Sequence, residues 1–365
     1  MKIGVDTREL KKDKAGKGWY VFNVLKEILN IDQENEFILY GDIDTQFLKA
    51  PNAKQIIVQG SSISWHYKVA RRLKKDGVDL YWAPTSPIVP AITSISTIMT
   101  IHDLTTLLFP DKHLLKSRII DKLFLKKALS KTKTILADSE ATKSDLERLF
   151  PFSENKITVS CLGYDKAFKK LPDSEVENKI SKYNLKPGYI LFVGTLEPRK
   201  NVEGIIESYA RINSKMQDDH HLVLVGKKGW YYNSILEKIE QSGIKNNIKV
   251  LDYVPFDDLP ALYNGAGIFL YPSFYEGFGL PPLEALACGT PVIASNVSSL
   301  PEVIGDAGIL VDPNNHDQIA HAIEKVLSDE KTRINMQRSS LGQAARFSWS
   351  ECAKETARMM QEAIK

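Results

Sequence analysis

The sequence predicts an α/β protein of two domains, each a mostly parallel sheet flanked by helices. Short apolar runs alternate with stretches of helical periodicity from the first residues onward, the pattern of successive βα units. The alternation pauses once, over the charged and polar stretch Leu171 to Leu185, which has Pro172 and Pro187 near its ends and reads as a linker. A chain of 365 residues is long enough for about two domains, which suits a boundary there. The domains expected are residues 1–170 and 171–348.

In the first domain, Ile3-Gly-Val-Asp6 is a strand, and its position at the chain start leaves no room for a signal peptide. A polar loop and Gly16-Lys-Gly18 follow, then Trp19 to Leu29 with Tyr20, Val21, Val24, Leu25 and Ile28 on one helical face. The glycine pair is a poor dinucleotide fingerprint, because Val21 stands where a third glycine belongs. Phe37 to Tyr40 and Ile56 to Val58 are strands, and Trp65 to Lys75 is a basic helix. Asp42-Ile-Asp44 has the look of a metal-binding D-x-D, but Asp and Gly after a strand are ordinary turn residues. Asp79 to Trp82 and Thr97 to Ile101 are buried strands, and the second delivers His102-Asp103 at its C-terminal edge, where open α/β sheets bind ligands. Ile119 to Leu129 is a cationic amphipathic helix. Thr134 to Ser139 is a strand and turn, with Ser139 capping the next helix, and Ile157 to Val159 is a further strand.

In the second domain, Tyr189 to Gly194 starts a new βα series. Gly194-Thr-Leu-Glu-Pro-Arg-Lys-Asn201 places Arg199 and Lys200 between that strand and the helix Val202 to Ile212, a position suited to a diphosphate: arginine offers a fork, lysine a point charge. Leu222 to Gly226 and Ile248 to Val254 are strands. The chain then reaches Tyr271-Pro-Ser-Phe-Tyr-Glu-Gly-Phe-Gly-Leu-Pro-Pro-Leu-Glu284, which reads as strand end, glycine-rich loop and helix start, with Pro281 and Pro282 in the first turn. A helix start can hold phosphate, and Glu276 and Glu284 sit at the same mouth. Carboxylates beside a diphosphate would be repelled, so both should accept hydrogen bonds from hydroxyls, which suggests a nucleotide-sugar site. Glu284 is expected in the helix's first turn. Gly308 to Pro313 is the last strand and turn, and the helices His316 to Leu327, Thr332 to Ala345 and Trp349 to Ile364 end the chain.

Glu276 and Glu284, eight positions apart within this string, resemble the E-x7-E motif of the retaining GT-B glycosyltransferases of family 4, also called group 1. The segment from Gly194 to Asn201 resembles the same family's G-x-x-x-x-R-K-N, and His102-Asp103 its His-Asp pair. The resemblance spans nearly the whole chain and is similar in pattern to bacterial mannosyltransferases of O-antigen and exopolysaccharide synthesis. It implies two Rossmann-like domains facing across a cleft, with the terminal helix, residues 349–365, crossing back onto the first domain.

By the same resemblance, His102, Arg199, Lys200 and Glu276 are catalytic. His102 faces the donor sugar, Arg199 and Lys200 neutralise the leaving diphosphate, and Glu276 contacts the transferred sugar. Donor binding falls to Gly16, Gly18, Asp103, Gly194, Gly277, Phe278, Gly279 and Leu280, with Glu284 on the ribose and Tyr253 and Val254 reading the base. No metal and no other cofactor is implied. The implied reaction is retaining transfer from a nucleoside-diphosphate sugar, GDP-mannose first and UDP-sugars second, to a glycan or polyprenyl-linked acceptor. The loop Gly16-Lys-Gly-Trp-Tyr20 lacks an arginine found near Trp19 in many such proteins, which bears on the acceptor side. A sugar-nucleotide epimerase or a non-catalytic nucleotide-sugar binder are the alternatives.

The charge is uneven: residues 51–133 hold 14 basic and 5 acidic residues, while the whole chain is only +3. This fits solvated helix faces, or attraction of the first domain to anionic lipid or a phosphate-bearing acceptor. With no aromatic-basic module beside the charge, nucleic acid is not an expected partner. Three widely spaced cysteines fit neither a zinc site nor a disulfide framework and point to a reducing cytoplasm. No apolar run approaches the roughly 20 residues that span a bilayer. The expected location is therefore cytoplasmic, with the inner membrane face as a peripheral site.

Overall fold

The computed structural model describes residues 1–11, 16–44, 48, 50–109 and 115–364. It contains two compact units, Met1–Gly163 with Ser348–Lys365, and Tyr164–Phe347. The first break falls a few residues before the expected 170. The stretch read as a linker is instead an α-helix over Asp173–Ser181, belonging to the second unit. Its two buried apolar residues, Val176 and Ile180, pack it against the helix Leu259–Gly265. Two apolar positions in nine residues are too few to show a period, although a pair four apart defines one helical face.

The first unit holds a seven-stranded parallel sheet in the order β3-β2-β1-β4-β5-β6-β7. Its strands are β1 Lys2–Asp6, β2 Glu36–Gly41, β3 Ala53–Ile57, β4 Leu80–Ala83, β5 Ser96–Ile101, β6 Thr134–Ala137 and β7 Ile157–Val159. The second unit holds a six-stranded parallel sheet in the order β10-β9-β8-β11-β12-β13. Those strands are β8 Tyr189–Val193, β9 Leu222–Val225, β10 Ile248–Leu251, β11 Ala266–Tyr271, β12 Val292–Ser295 and β13 Ile309–Val311. Parallel strands have helices on both faces, so they read as unbroken apolar runs: β4, β9 and β12 are buried at every residue.

In each sheet the strand order reverses once. In the first unit β1 lies between β2 and β4; in the second, β8 lies between β9 and β11. Loops leaving the C-terminal ends of strands diverge at such a switch point and leave a crevice for ligands. The switch point of the second unit is therefore flanked by the segment after β8, which carries Arg199 and Lys200, and the segment after β11, which carries Glu276.

Some elements differ from expectation in their bounds. Gly16 and Gly18 lie in the first turn of the helix Gly16–Ile31 rather than in the loop before it. Glycine costs a helix about 1 kcal/mol relative to alanine, but Tyr20, Val21, Val24, Leu25 and Ile28 bury one face and outweigh it. The cationic helix is longer than its apolar pattern, running Leu115–Ile120, then a π-helical stretch Asp121–Leu125, then Lys126–Lys131. A short helix, Ile88–Ile92, occupies what reads in sequence as a turn with prolines. The final helix, Trp349–Glu362, packs on Gly16–Ile31 within the first unit, with Trp349 edge-on to Tyr20 at 6.3 Å. No helix among the described residues is long and apolar enough to cross a membrane.

Candidate active site

The second unit brings Arg199, Lys200 and Glu276 into one buried network. Lys200 and Glu276 are only 9% and 7% exposed. The Lys200 ammonium donates to both Glu276 oxygens, at 2.6 and 2.8 Å, and to the Tyr271 hydroxyl at 2.7 Å. Arg199 Nη1 donates to Glu276 Oε2 at 3.1 Å and to the Tyr275 carbonyl at 2.8 Å. Its other terminal nitrogen lies 2.8 Å from Glu197 Oε1, so two cations face two carboxylates. Burial works against ionisation of Glu276, but Lys200 and Arg199 outweigh it and hold the carboxyl below its ordinary range. Glu197 goes the other way: burial raises its carboxyl, and Arg199 and Lys200 offset only part of that. Glu197 lies inside the sequence string but has no role in its reading. Its signal was a carboxylate two residues before a buried arginine.

Local structure explains the placement. Asn201 adopts a left-handed conformation, φ +56°, and its amide donates to the carbonyls of Pro272 at 3.1 Å and Pro313 at 2.7 Å. It thus ties the segment after β8 to the ends of β11 and β13, and fixes Lys200 beside Glu276. The glycine-rich loop is held from beneath by two serines also absent from the sequence reading. The Glu276 N–H donates to Ser298 Oγ at 2.9 Å, and Ser299 Oγ donates to the carbonyls of Glu276 at 3.0 Å and Phe278 at 2.6 Å. Gly194 ends β8 against Gly226, where an added Cβ would stand 1.8 Å from the Gly194 carbonyl oxygen; only glycine permits that approach.

The helix after the loop runs Leu280–Ala287, entered through Gly279 at φ +117°. Pro281 and Pro282 carry no N–H, so Leu280 alone among the first three helical residues supplies a backbone donor. The helix start is thus a poorer anion cradle than its position suggests. Glu284 is the fifth residue, one turn further along than expected, because the helix begins at Leu280 itself. Its Oε2 accepts from the Tyr263 hydroxyl at 2.8 Å. Burial pushes its carboxyl up to about 8, with the Tyr263 bond opposing the rise. The Phe278 ring turns away, edge-on to Phe347 at 5.6 Å, leaving its backbone toward the loop. Beyond β10, Val254 is buried, while Tyr253 is exposed with the Lys227 ammonium 5.1 Å from its ring.

In the first unit, His102 leaves β5 and donates or accepts at Nδ1 with Asp138 Oδ2 at 2.7 Å. Asp103 does not share that arrangement. Its Oδ1 accepts from the backbone N–H of Thr105 at 3.0 Å and from the Thr105 hydroxyl, which starts the short helix Thr105–Leu108.

The sequence is matched over residues 173–343 by the family model described as "Glycosyl transferases group 1" and over residues 51–168 by "Glycosyltransferase Family 4". Among curated proteins, the chain is 38% identical to O-antigen chain mannosyltransferase B of Escherichia coli, over 71% of this chain and 68% of that protein. This chain belongs to the group 1, family 4 glycosyltransferases. Members of this family transfer sugars, and so does this enzyme. It is also 31% identical to the serotype-specific mannosyltransferase WbdA of Escherichia coli, over 70% of this chain but 32% of WbdA, so it spans about a third of that protein's length. Solved structures place the fold as GT-B, two Rossmann-like domains. HepE of Anabaena, in complex with UDP and glucose, matches with a TM-score of 0.81 at 19% identity, covering 99% of this chain and 100% of that one. WaaG, a glycosyltransferase involved in lipopolysaccharide biosynthesis, matches with a TM-score of 0.78 at 16% identity, covering 98% and 99%.

Proposed function

We propose that this glycosyltransferase moves a mannosyl group from GDP-mannose to a glycan or polyprenyl-linked acceptor in cell-surface polysaccharide synthesis, with retention and without a metal ion. The observation that carries the reading is the buried pairing of Arg199 and Lys200 with Glu276 at the switch point of the second sheet. The mannosyltransferase relatives named above support the choice of sugar and pathway.

In this reading the bond between the anomeric carbon and the β-phosphate oxygen breaks, and the diphosphate leaves with added negative charge. Arg199 and Lys200 stabilise that charge without a metal. The acceptor hydroxyl bonds to the anomeric carbon on the same face, and its proton passes to the departing phosphate oxygen, so no general-base carboxylate is needed. Glu276 orients the sugar hydroxyls, Glu284 holds the ribose, and the loop around Tyr253 and Val254 meets the base. His102 faces the transferred sugar.

The enzyme works at the cytoplasmic face of the membrane, where its lipid-linked acceptor lies. The helix Ser62–Lys75 supports this: it carries no acidic residue and leaves Ile63 and Tyr67 about half exposed among Lys68, Arg71 and Arg72. The test is to incubate the enzyme with GDP-mannose or UDP-glucose, in EDTA, with mannose oligosaccharides and a polyprenyl-diphosphate-linked glycan. Product NMR then reads the anomeric configuration. Transfer of mannose with retention is expected. An inverted product, a requirement for added metal, or transfer from UDP-glucose alone would overturn the corresponding part.

A further inference from the structure

The parallel register of the first sheet pairs Ile101 of β5 with Ala137 of β6, so the next residues along, His102 and Asp138, emerge side by side at its C-terminal edge. Their side chains meet at 2.7 Å between Nδ1 and Oδ2. The imidazole is locked from other directions as well. The Tyr20 ring stands edge-on to it at 4.7 Å, and the Tyr20 hydroxyl is fixed to Thr100 Oγ1 at 3.0 Å, which also takes the Trp82 indole N–H at 3.2 Å. Two polar atoms of the pair are buried with no hydrogen-bond partner among the described residues: His102 Nε2 and Asp138 Oδ1. A buried polar atom left unpaired costs about 1–3 kcal/mol, and such a cost at the ligand-binding edge of a sheet marks a group kept ready for a ligand.

We propose that Asp138 is a positioning residue for sugar transfer: it accepts the Nδ1–H of neutral His102 and so presents the Nε2 lone pair as an acceptor for a donor-sugar hydroxyl. The inference rests on the reading that His102 faces the transferred sugar. A carboxylate on one ring nitrogen selects the tautomer and aims the other. The groups facing Asp138 are His102 and Asp103 from the end of β5, Lys17 and Tyr20 from the first helix and Cys352 from the last. Burial raises the Asp138 carboxyl and the His102 ring opposes that, while Lys17 is the cation on the neighbouring helix.

The test uses Asp138→Asn, which keeps the shape, in the full chain. The chain has seven histidines, and the His102 signals are assigned by their loss in His102→Asn. In wild-type enzyme, nitrogen-15 NMR of labelled histidine should show the Nδ1–H tautomer of His102 near pH 7.5. Asp138→Asn should shift the tautomer balance and lower kcat by about 10–100-fold with a smaller change in the KM for donor. In a His102→Asn background the same change should alter kcat less than about 3-fold, because Asp138 acts only through the ring. An Nε2–H tautomer in the wild type, an unchanged tautomer in Asp138→Asn, or additive losses in the double variant would overturn the inference. The tautomer measurement needs no turnover, so it separates failure of this inference from failure of the proposed reaction, which the wild-type transfer assay decides.

Discussion

Replacing Lys200 by methionine separates the structural and catalytic work of the buried charge cluster. Methionine fills nearly the same volume, so little cavity is created, but the ammonium and its three hydrogen bonds to Glu276 and Tyr271 are lost. Glu276 then keeps one cation, Arg199 at 3.1 Å, while remaining about nine-tenths buried. Removing one partner of a buried ion pair costs about 3–5 kcal/mol, because the other charge stays desolvated. For a unit of roughly 180 residues, each kcal/mol lowers Tm by about 2–4 °C, so the loss at the lower bound is roughly 6–12 °C. Adding Glu276→Gln to Lys200→Met removes the stranded charge and should restore most of that Tm. Neither variant should recover activity: turnover should fall by about 100-fold or more, since the charge on the leaving diphosphate is then met by Arg199 alone. Thermal unfolding followed by circular dichroism, beside release of nucleoside diphosphate, reads both. A Tm within about 1 °C of wild type for Lys200→Met would show that the pair contributes nothing to the fold. Near-normal turnover would remove Lys200 from the reaction.

Two further outcomes follow from the same neighbourhood. Glu284 has a folded-state carboxyl near 8 against an ordinary 4.5, so its contribution to stability is fully present below about pH 4.5 and is lost as pH rises through about 8; Glu284→Gln should flatten the fall in Tm between pH 6 and pH 9, and an unchanged slope would place the titration elsewhere. Asn201→Ala strands the carbonyls of Pro272 and Pro313 and puts a Cβ at φ +56°, a loss of about 2–4 kcal/mol, whereas Asn201→Gly should lose less because the backbone is no longer strained; equal losses measured by urea unfolding would show that conformation at 201 is unimportant.

The strands were legible because a parallel sheet between two helix layers leaves no polar face: Leu222–Val225 and Tyr189–Val193 are apolar throughout or nearly so. The site residues after β8 and β11 were legible because chemistry-bearing types stand out at strand ends, and the order of strands then places them at one crevice. What the sequence hides is pairing across distance. Glu276 looks like a free carboxylate awaiting hydroxyls, yet both its oxygens are taken by Lys200, which lies 76 positions earlier. Asp138 reads as a turn residue because its partner His102 is 36 positions away, and only the register of β5 with β6 joins them. Tyr263, which holds Glu284, looks like one more apolar helix residue, and its hydroxyl finds its partner only once two helices pack. Asp103 errs in the opposite sense: next to a histidine it invites a ligand role, while a threonine two residues on gives it an ordinary capping task.

The self-neutralised cluster constrains how a diphosphate can bind. Arg199 and Lys200 balance Glu197 and Glu276, so an arriving diphosphate meets two cations already occupied and two carboxylates that repel it. Its negative charge favours protonation of whichever carboxyl gives up ionisation most easily. That carboxyl is Glu197, which burial already raises, and not Glu276, which its two cations hold down. Binding of GDP should therefore draw in protons at Glu197, up to about one per site near pH 6, leaving Arg199 free to turn toward phosphate. The nucleotide's own phosphate also titrates in this range, so the informative quantity is the difference between wild type and Glu197→Gln. Calorimetry in two buffers of unequal ionisation enthalpy gives it directly: wild type should take up more protons than the variant, and by a margin that shrinks as pH rises toward 8. Equal proton uptake in the two proteins would mean that Glu197 stays ionised beside the diphosphate, and that the cluster opens by moving charges apart instead of by cancelling one.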